Sequence, residues 1–385
     1  MINQFMFNLD NILRPHILGL TPYSSARDEY TGTEGVFLDA NENPFGPTLG
    51  GSTTPDGAYN RYPDPHQTAI KRRLAALKGV RPEQIFLGNG SDEPIDLLVR
   101  ATCRPGQDSI LIMPPTYGMY EVSAALNDVA ITKVPLTADF RVDVPAVLAA
   151  LTPTTKLVWL CSPNNPSGNR LADDAIRTIL EAAPQSLVIV DEAYIDFAGG
   201  PSWVGQLAQY PNLVVLQTFS KAWGLAGLRL GMCFGSAELI AVLNKIKPPY
   251  NISAPTQTLA LEALDHVANK DAMVAEILAE RAFLAEKLRS LPSVRIVHPS
   301  DANFLLVQFD DAAATFAHLI DQRVIVRDRS RVVRCDDCLR ITVGTRTENE
   351  RLLDVLRTVT EKPVTTPLPL GTGNEATKPE LVSNA

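Results

Sequence analysis

The alternation of short apolar runs with helical patterns is the feature that most constrains how this chain can fold. Seven such runs begin near residues 84, 109, 130, 156, 187, 213 and 228. Amphipathic segments such as "SDEPIDLLVRATC" and "TYGMYEVSAALN" lie between them. Most runs contain no polar interruption, which is typical of strands covered by helices on both faces. The pattern predicts an α/β fold with a mostly parallel seven-stranded sheet between helices.

The pattern changes in the last third of the chain. From residue 256 a long helical stretch, "TQTLALEALDHVANKDAMVAEILAERAFLAEKLRSL", leads to short strands near 303–309 and 338–343. A chain of 385 residues is too long for one ordinary core, so we predict a large domain and a smaller α+β lobe. An N-terminal arm over 1–45 is predicted to contribute to the small lobe and the active site. The large domain is predicted over 46–255, the small domain over 256–362 and a disordered tail over 363–385.

Charge and cysteine usage exclude several classes of protein. The net charge of -8 gives no general affinity for nucleic acid. The chain begins without a basic region and apolar run, and no stretch is long and apolar enough to cross a bilayer, so we predict a cytoplasmic protein. The odd number of cysteines indicates reduced thiols. Cys335 and Cys338 form a lone C-x-x-C without the second pair that zinc needs, so we predict a surface loop and no metal site.

Polar residues follow four of the predicted strands. In an open α/β sheet, ligands bind beyond the carboxyl ends of the strands. The run at 84 is followed by "NGSDE", a turn at a helix N-terminus where free backbone N–H groups attract a phosphate. The runs at 156, 187 and 213 are followed by Asn165 in "SPNNPSG", by Asp191 and Tyr194 in "DEAY", and by Ser220 and Lys221.

Lys221 lies among small and uncharged residues in "TFSKAWGLAGLRLG", with Arg229 eight positions later. An amine without a carboxylate nearby is poorly placed for a salt bridge, but it can form a Schiff base with a carbonyl group. Pyridoxal 5′-phosphate (PLP) requires a lysine for its aldehyde, a carboxylate for its pyridine nitrogen, donors for its phenolic oxygen and a cradle for its phosphate. The residues at the four strand ends match these requirements.

The roles can be assigned one by one. Lys221 is predicted to form the Schiff base and then to move a proton between the substrate carbon and the cofactor. Asp191 would pair with the pyridinium nitrogen, while Asn165 and Tyr194 would hydrogen-bond the phenolic oxygen. The remaining predicted contacts are ring stacking by Tyr117 and phosphate binding by the backbone at Ser91 and Asp92, the Ser220 hydroxyl and Arg229.

Each of these residues also has a purely structural interpretation. Asp191 could cap a helix or form half of a salt bridge. Tyr117 and Tyr194 could simply pack with their hydroxyls at the surface, Asn165 could serve its turn, and Lys221 could be a solvated surface residue. The joint occurrence at successive strand ends favours the cofactor site, because the structural interpretation requires four independent coincidences.

The sequence blocks resemble a known family. "DANENPFGP", "NRYPDP", "GNGSDEPIDLL", "SPNNPSG", "DEAYIDF", "TFSKAWGLAGLRLG", "VIVRDRS" and "LRITVGT" occur in the order found in fold-type I aminotransferases, and within them in the histidinol-phosphate aminotransferase family. The resemblance covers about residues 14–362. It implies the fold-type I PLP-dependent transferase fold. It also implies interconversion of histidinol phosphate and 2-oxoglutarate with imidazole-acetol phosphate and glutamate, a step of histidine biosynthesis.

The resemblance also implies further site residues. Tyr62 of "NRYPDP" would reach the cofactor phosphate of the partner subunit, which implies a homodimer with shared active sites. Tyr23, Arg327 and Arg340 would belong to the substrate site. Arg340 would bind in turn the glutamate α-carboxylate and the phosphate of the amino-alcohol substrate.

Residues 323–334, "RVIVRDRSRVVR", contain five arginines. Aromatic residues are absent from this run and the chain is acidic, which favours a local anion site over a nucleic-acid surface. Apart from Arg327, the arginines at 323, 329, 331 and 334 are predicted to be solvated or structural. The overlapping segment "RVVRCDDC" at 331–338 lacks the Pro-Gly turn that is expected of the family, which leaves the conformation of this loop open.

Three other functions remain open at this point. A threonine-phosphate decarboxylase would share the cofactor set and resemble the chain throughout. An aromatic amino acid aminotransferase is possible because aromatic and imidazole side chains fill similar pockets. A cofactor-sensing regulator would need an attached DNA-binding domain, for which we see no room before Arg14.

Overall fold

The computed structural model describes residues 7–22, 38–48 and 59–359 of the chain. Two of the predictions above, the substrate-site residue Tyr23 and the disordered tail over 363–385, lie outside the described residues.

A mixed sheet of seven strands forms the centre of the structure, in the order β1-β7-β6-β5-β4-β2-β3. Only β7 runs antiparallel to its neighbours β1 and β6, and the other pairs are parallel. This confirms the predicted mostly parallel α/β sheet. The strands are β1 Ile85–Asn89, β2 Ser109–Ile112, β3 Ala130–Lys133, β4 Thr155–Cys161, β5 Leu187–Asp191, β6 Leu213–Thr218 and β7 Leu230–Phe234.

Helices cover the sheet on both faces because successive strand residues point to opposite sides. In β4, for example, Val158 belongs to one core and Trp159 to the other. The first core is completed by helices Thr68–Lys78, Val144–Ala150, Asp173–Ala182 and Ala254–Asp265. The second core is completed by helices Asp92–Thr102, Met119–Leu126 and Ala237–Ile246. Burial on both faces explains why the strands read as continuous apolar runs.

A second, antiparallel sheet lies in the C-terminal part, in the order β10-β11-β9-β8. It packs a third core with helices Val267–Arg289, Ala312–Asp321 and Arg346–Arg357. The two strands predicted here are confirmed, while the other two are too short or too polar to stand out in the sequence. The strands are β8 Val294–Val297, β9 Phe304–Phe309, β10 Arg327–Asp328 and β11 Cys338–Thr342.

Two local features differ from the sequence prediction. The helical stretch from residue 256 is not continuous, because His266 leaves helical geometry (φ -113°, ψ 36°) between helices Ala254–Asp265 and Val267–Arg289. The C-x-x-C segment belongs to a surface loop as predicted, with Arg334 and Asp336 exposed, but the side chains of Cys335 and Cys338 are buried beneath it. Small apolar thiols pack readily beneath a turn, and this turn is made without glycine, by left-handed backbone at residues 334 and 337.

Within the described ranges, no helix combines the length and apolar character needed to cross a membrane. The domain boundaries and the cytoplasmic location stay predictions.

Strand β7 lies against the turn that follows β1, and this close approach depends on glycine. Gly90 adopts positive φ (73°), and its N–H donates to the Arg229 carbonyl at 2.7 Å. A Cβ atom added at Gly231 would lie 2.4 Å from both the carbonyl carbon of Gly90 and the backbone nitrogen of Ser91. No side chain fits there unless the turn moves away from β7.

We therefore expect Gly231→Ala to lower the free energy of unfolding by about 1–3 kcal/mol, because it forces backbone apart in a packed region. Gly227→Ala is the matched control: an added Cβ there meets nothing within 4 Å, so its effect should stay within about 0.5 kcal/mol. Urea unfolding followed by circular dichroism measures both. Equal stability of the two variants would contradict the packing argument.

Candidate active site

A cleft opens at the edge of the large sheet where β1, β4, β5 and β6 end. Because β7 runs in the opposite direction, its first residues reach the same edge. The cleft has a cavity volume of about 90 Å³. Every predicted cofactor residue except Tyr62 lines it: Ser91, Asp92, Tyr117, Asn165, Asp191, Tyr194, Ser220, Lys221 and Arg229.

One end of the cleft is formed by the start of helix Asp92–Thr102. Ser91 is the N-cap residue of this helix, but its side chain makes no capping hydrogen bond. The Asp92 carboxylate accepts from the Tyr117 hydroxyl at 2.9 Å and from the Arg229 guanidinium at 3.3 Å. Arg229 has left-handed backbone (φ 51°), and an added Cβ at Gly90 would come within 2.6 Å of its guanidinium. The Arg229 guanidinium, the N-terminus of a helix and a glycine that leaves space for the guanidinium therefore meet at this end of the cleft, as phosphate binding requires.

Asp191 ends β5 and is buried at the floor of the cleft. Burial raises the pKa of its carboxyl group to about 6. Hydrogen bonds from the Tyr120 hydroxyl at 2.5 Å and from the Ala193 N–H at 3.2 Å oppose this rise, since they stabilise the carboxylate. A desolvated carboxylate held at a fixed position is suited to bind a cationic nitrogen.

Sequence reasoning missed Tyr120. The ring stacks on Trp159 of β4 with centroids 4.6 Å apart and meets Tyr117 edge-on at 5.6 Å. The two tyrosines are separated by three positions in "TYGMY", a spacing that brings side chains to one face of a helix. This spacing was the available signal, but nothing in the sequence connects Tyr120 to Asp191, which lies 71 residues later.

Lys221 follows β6 and directs its amine into the cleft, with Nζ 5.7 Å from the centre of the Tyr194 ring. The residue is exposed by surface area, yet desolvation of its amine is the main cause that lowers the pKa of Lys221. Repulsion from Arg340 and Arg229 lowers it further. Both effects favour the neutral amine, which is the form that reacts as a base or nucleophile.

The small sheet contributes Arg340 to the cleft. This residue of β11 donates to the amide oxygen of Asn165 at 2.5 Å, and its guanidinium lies over the Phe304 ring at 5.3 Å. Tyr194 meets the same ring edge-on at 5.1 Å. Arg327 lies directly opposite Arg340 in the β10–β11 register and is exposed. The structure thus brings together two of the predicted substrate residues beside the predicted cofactor residues.

Tyr62 does not line the cleft. Its side chain is 51% exposed and stacks on Tyr250 with centroids 4.4 Å apart. Its N–H donates to the Glu42 carboxylate at 2.7 Å. Within one chain this residue therefore lies outside the cleft that the other predicted cofactor residues line.

A second group that sequence reasoning missed lies behind the cleft, around the buried Glu192 carboxylate. It accepts from the Trp203 N–H at 2.8 Å, from the Gln217 amide at 2.9 Å and from the Ser202 hydroxyl. Burial raises the pKa of Glu192, and these donors oppose the rise. The network joins the ends of β5 and β6 and so fixes the spacing between Asp191 and Lys221.

Comparisons with known proteins give consistent results. Residues 35–356 match the family described as aminotransferase class I and II. The chain is 58% identical over 352 residues to the histidinol-phosphate aminotransferase of Cytophaga hutchinsonii, covering 91% of this chain and 99% of that protein. It is 51% identical to that of Parabacteroides distasonis with the same coverage. The chain is also similar to the crystal structure of histidinol-phosphate aminotransferase from Sinorhizobium meliloti in complex with pyridoxal-5′-phosphate. The TM-score is 0.72 at 25% sequence identity, and the match covers 83% of this chain and 90% of that chain.

We expect Tyr120→Phe to raise the pKa of Asp191 above 6, because the variant removes a hydrogen bond that stabilises the carboxylate. The variant should lose up to about 1.4 kcal/mol of the free energy that stabilises the carboxylate, which lowers the acid dissociation constant of Asp191 about tenfold. An infrared pH titration measures it, with Asp191→Asn identifying the signal. Tyr117→Phe is the control, since its hydroxyl donates to Asp92. An unchanged or lowered pKa in Tyr120→Phe would contradict the assignment.

Proposed function

The chain belongs to the class I and II aminotransferase family, and from this premise we propose that it is a PLP-dependent histidinol-phosphate aminotransferase. It would interconvert histidinol phosphate and 2-oxoglutarate with imidazole-acetol phosphate and glutamate, a step of histidine biosynthesis. The observation that carries the proposal is the meeting of Lys221, Asp191 and Arg229 in one cleft. The identity to relatives that bear this name supports the choice of substrate.

The donor set of the cleft fits PLP. When bound, PLP supplies an aldehyde that takes up amino groups and a ring that withdraws electrons from the reacting carbon. We assign its phosphate to Arg229, the Ser220 hydroxyl and the N–H groups at Ser91 and Asp92. Tyr117 would stack on the ring.

Lys221 would move the proton at the reacting carbon of the substrate. Its lowered pKa supports this role, because a larger fraction of the amine is then neutral and able to accept a proton. The amine lies in the same cleft as Asp191 and the Tyr194 ring, so it can act on a substrate held between them.

Asp191, Asn165 and Tyr194 would orient the cofactor ring. Asp191 would pair with the ring nitrogen and keep it protonated, because a carboxylate and a neighbouring cation stabilise each other. Burial raises the pKa of Tyr194 well above its ordinary value, so the hydroxyl stays protonated and can donate. Among the described residues, the Asn165 amide nitrogen has no hydrogen-bond acceptor, so it too is available as a donor.

Arg340 and Arg327 would bind the anionic end of either substrate. A guanidinium forms paired hydrogen bonds with carboxylate and phosphate alike, so one site can serve glutamate and histidinol phosphate in turn. Tyr23 is proposed as a third substrate contact on the resemblance alone.

We also propose a homodimer in which Tyr62 contacts the cofactor phosphate of the partner subunit. The half-exposed ring, held by Tyr250 away from the cleft of its own chain, supports this assignment. A tyrosine fixed by stacking loses little conformational freedom when it meets a partner.

The substrate assignment predicts a product. The PLP-loaded protein incubated with histidinol phosphate and 2-oxoglutarate should form glutamate, quantified by chromatography, because the arginines of the cleft bind both anions. Threonine phosphate should release no carbon dioxide, and phenylalanine should yield glutamate much more slowly. Release of carbon dioxide from threonine phosphate without transamination would replace the proposal by a decarboxylase. Faster turnover of phenylalanine would replace it by an aromatic aminotransferase.

Lys221→Ala should lose the visible absorbance of protein-bound PLP and lower turnover by at least about 10²–10⁴-fold, because the variant lacks the amine that moves the proton. Spectrophotometry and the glutamate assay measure these effects. Lys133→Ala, which removes an exposed lysine paired with Glu121, is the control and should keep both properties. A fully active Lys221→Ala protein would rule out the mechanism.

A further inference from the structure

Three arginines lie on one face of the β10–β11 ribbon. Arg327 and Arg340 are direct cross-strand neighbours, so their side chains project from the same face. The ladder continues past β10, since the Arg329 N–H donates to the Cys338 carbonyl at 2.9 Å. Arg329 stands two positions after Arg327 in extended pairing and therefore shares its face.

The sequence analysis treats Arg329 as solvated or structural, whereas the structure shows it half-buried. Its Nε atom is buried and has no hydrogen-bond partner in the part of the chain that the structure describes. Leaving such a donor unpaired is unfavourable, so it indicates a group that is bound during function.

One carboxylate lies near the cluster: the positive charge of Arg329 contributes to lowering the pKa of Asp328. Over residues 7–22, 38–48 and 59–359, none of the three arginines forms an ion pair. Adjacent Asp328 is engaged by the Ser330 N–H at 2.8 Å and hydroxyl at 2.6 Å. The hydrogen bond of Arg340 goes to a neutral amide oxygen, that of Asn165.

Arg329 acts electrostatically on the cleft. Burial lowers the pKa of Arg329, and repulsion from Arg340 and Arg327 lowers it further. The Tyr194 hydroxyl, inside the cleft, interacts with both Arg340 and Arg329. Three cations in partial burial destabilise one another, and an anion among them relieves the repulsion in proportion to its charge.

We infer that Arg329 is a third anion-binding arginine of the substrate site and makes this site favour a phosphate over a single carboxylate. The inference rests on the proposed function for the identity of the substrates. A carboxylate carries one charge and two oxygens, which Arg327 and Arg340 can satisfy. A phosphate monoester carries about -1.5 to -2 charges and a third oxygen for Arg329.

Arg329→Gln in the PLP-loaded enzyme tests this specificity role. The KM for histidinol phosphate should rise about 10- to 100-fold, the effect of one lost charge-assisted hydrogen bond. The KM for glutamate should change less than about threefold, and kcat should be retained with both substrates. Arg331→Gln is the matched control: it removes an exposed arginine of the same loop and should change neither KM. Equal losses for both substrates, or no loss for histidinol phosphate, would overturn the inference.

A binding measurement separates this inference from the proposed function. Calorimetric titration of the loaded enzyme with inorganic phosphate should show about tenfold or greater weakening in Arg329→Gln, with acetate binding unchanged. Arg329→Lys keeps the positive charge but loses the planar guanidinium group, so this variant should bind phosphate with intermediate affinity. It replaces Arg329→Gln in the test if that variant does not fold. Unaltered phosphate affinity in both variants would refute the role of Arg329. If the wild-type protein does not turn over histidinol phosphate, but its affinity for phosphate falls when Arg329 is replaced, only the proposed function is refuted.

Discussion

The burial of the seven-stranded sheet on both faces is the constraint on which the rest of the structure depends. Strands covered by helices on each side can carry a polar side chain within their length only where it is hydrogen-bonded, as Gln217 of β6 is to Glu192, since an unpaired polar group there is strongly unfavourable. Polar chemistry is thereby confined to the edge where β1, β4, β5 and β6 end and β7 begins. The cleft is a consequence of this arrangement, and its residues come from segments far apart in the chain.

The same burial sets the protonation chemistry of the cleft. Desolvation disfavours whichever form of a group is charged. It therefore raises the pKa of Asp191 and Tyr194 and lowers that of Lys221. Hydrogen bonds from Tyr120 and from the Ala193 N–H keep the Asp191 carboxylate accessible to a cation. One physical cause thus acts on the Asp191 carboxyl group, the Tyr194 hydroxyl and the Lys221 amine.

The small sheet completes the site by bringing cations to it. Arg340 contacts Asn165 across 175 positions of sequence, so a hydrogen bond joins the two sheets at the cleft. The arginines of the β10–β11 ribbon form no ion pair among the described residues, which leaves hydrogen-bond donors such as the Arg329 Nε atom available to a ligand. The guanidinium groups of Arg327 and Arg340 thus come from the small sheet, and Lys221 and Asp191 come from the large one.

The sequence by itself determined the seven strands, their mostly parallel arrangement and the polar residues at their ends, because period and composition are local properties. It also identified Lys221, Asp191 and Arg229, whose spacing within short motifs is distinctive. Only the tertiary structure revealed Tyr120 beneath Asp191, the buried thiols of the C-x-x-C segment and the half-buried Arg329. These properties depend on contacts between distant segments, and the environment of a side chain is decided by what packs against it.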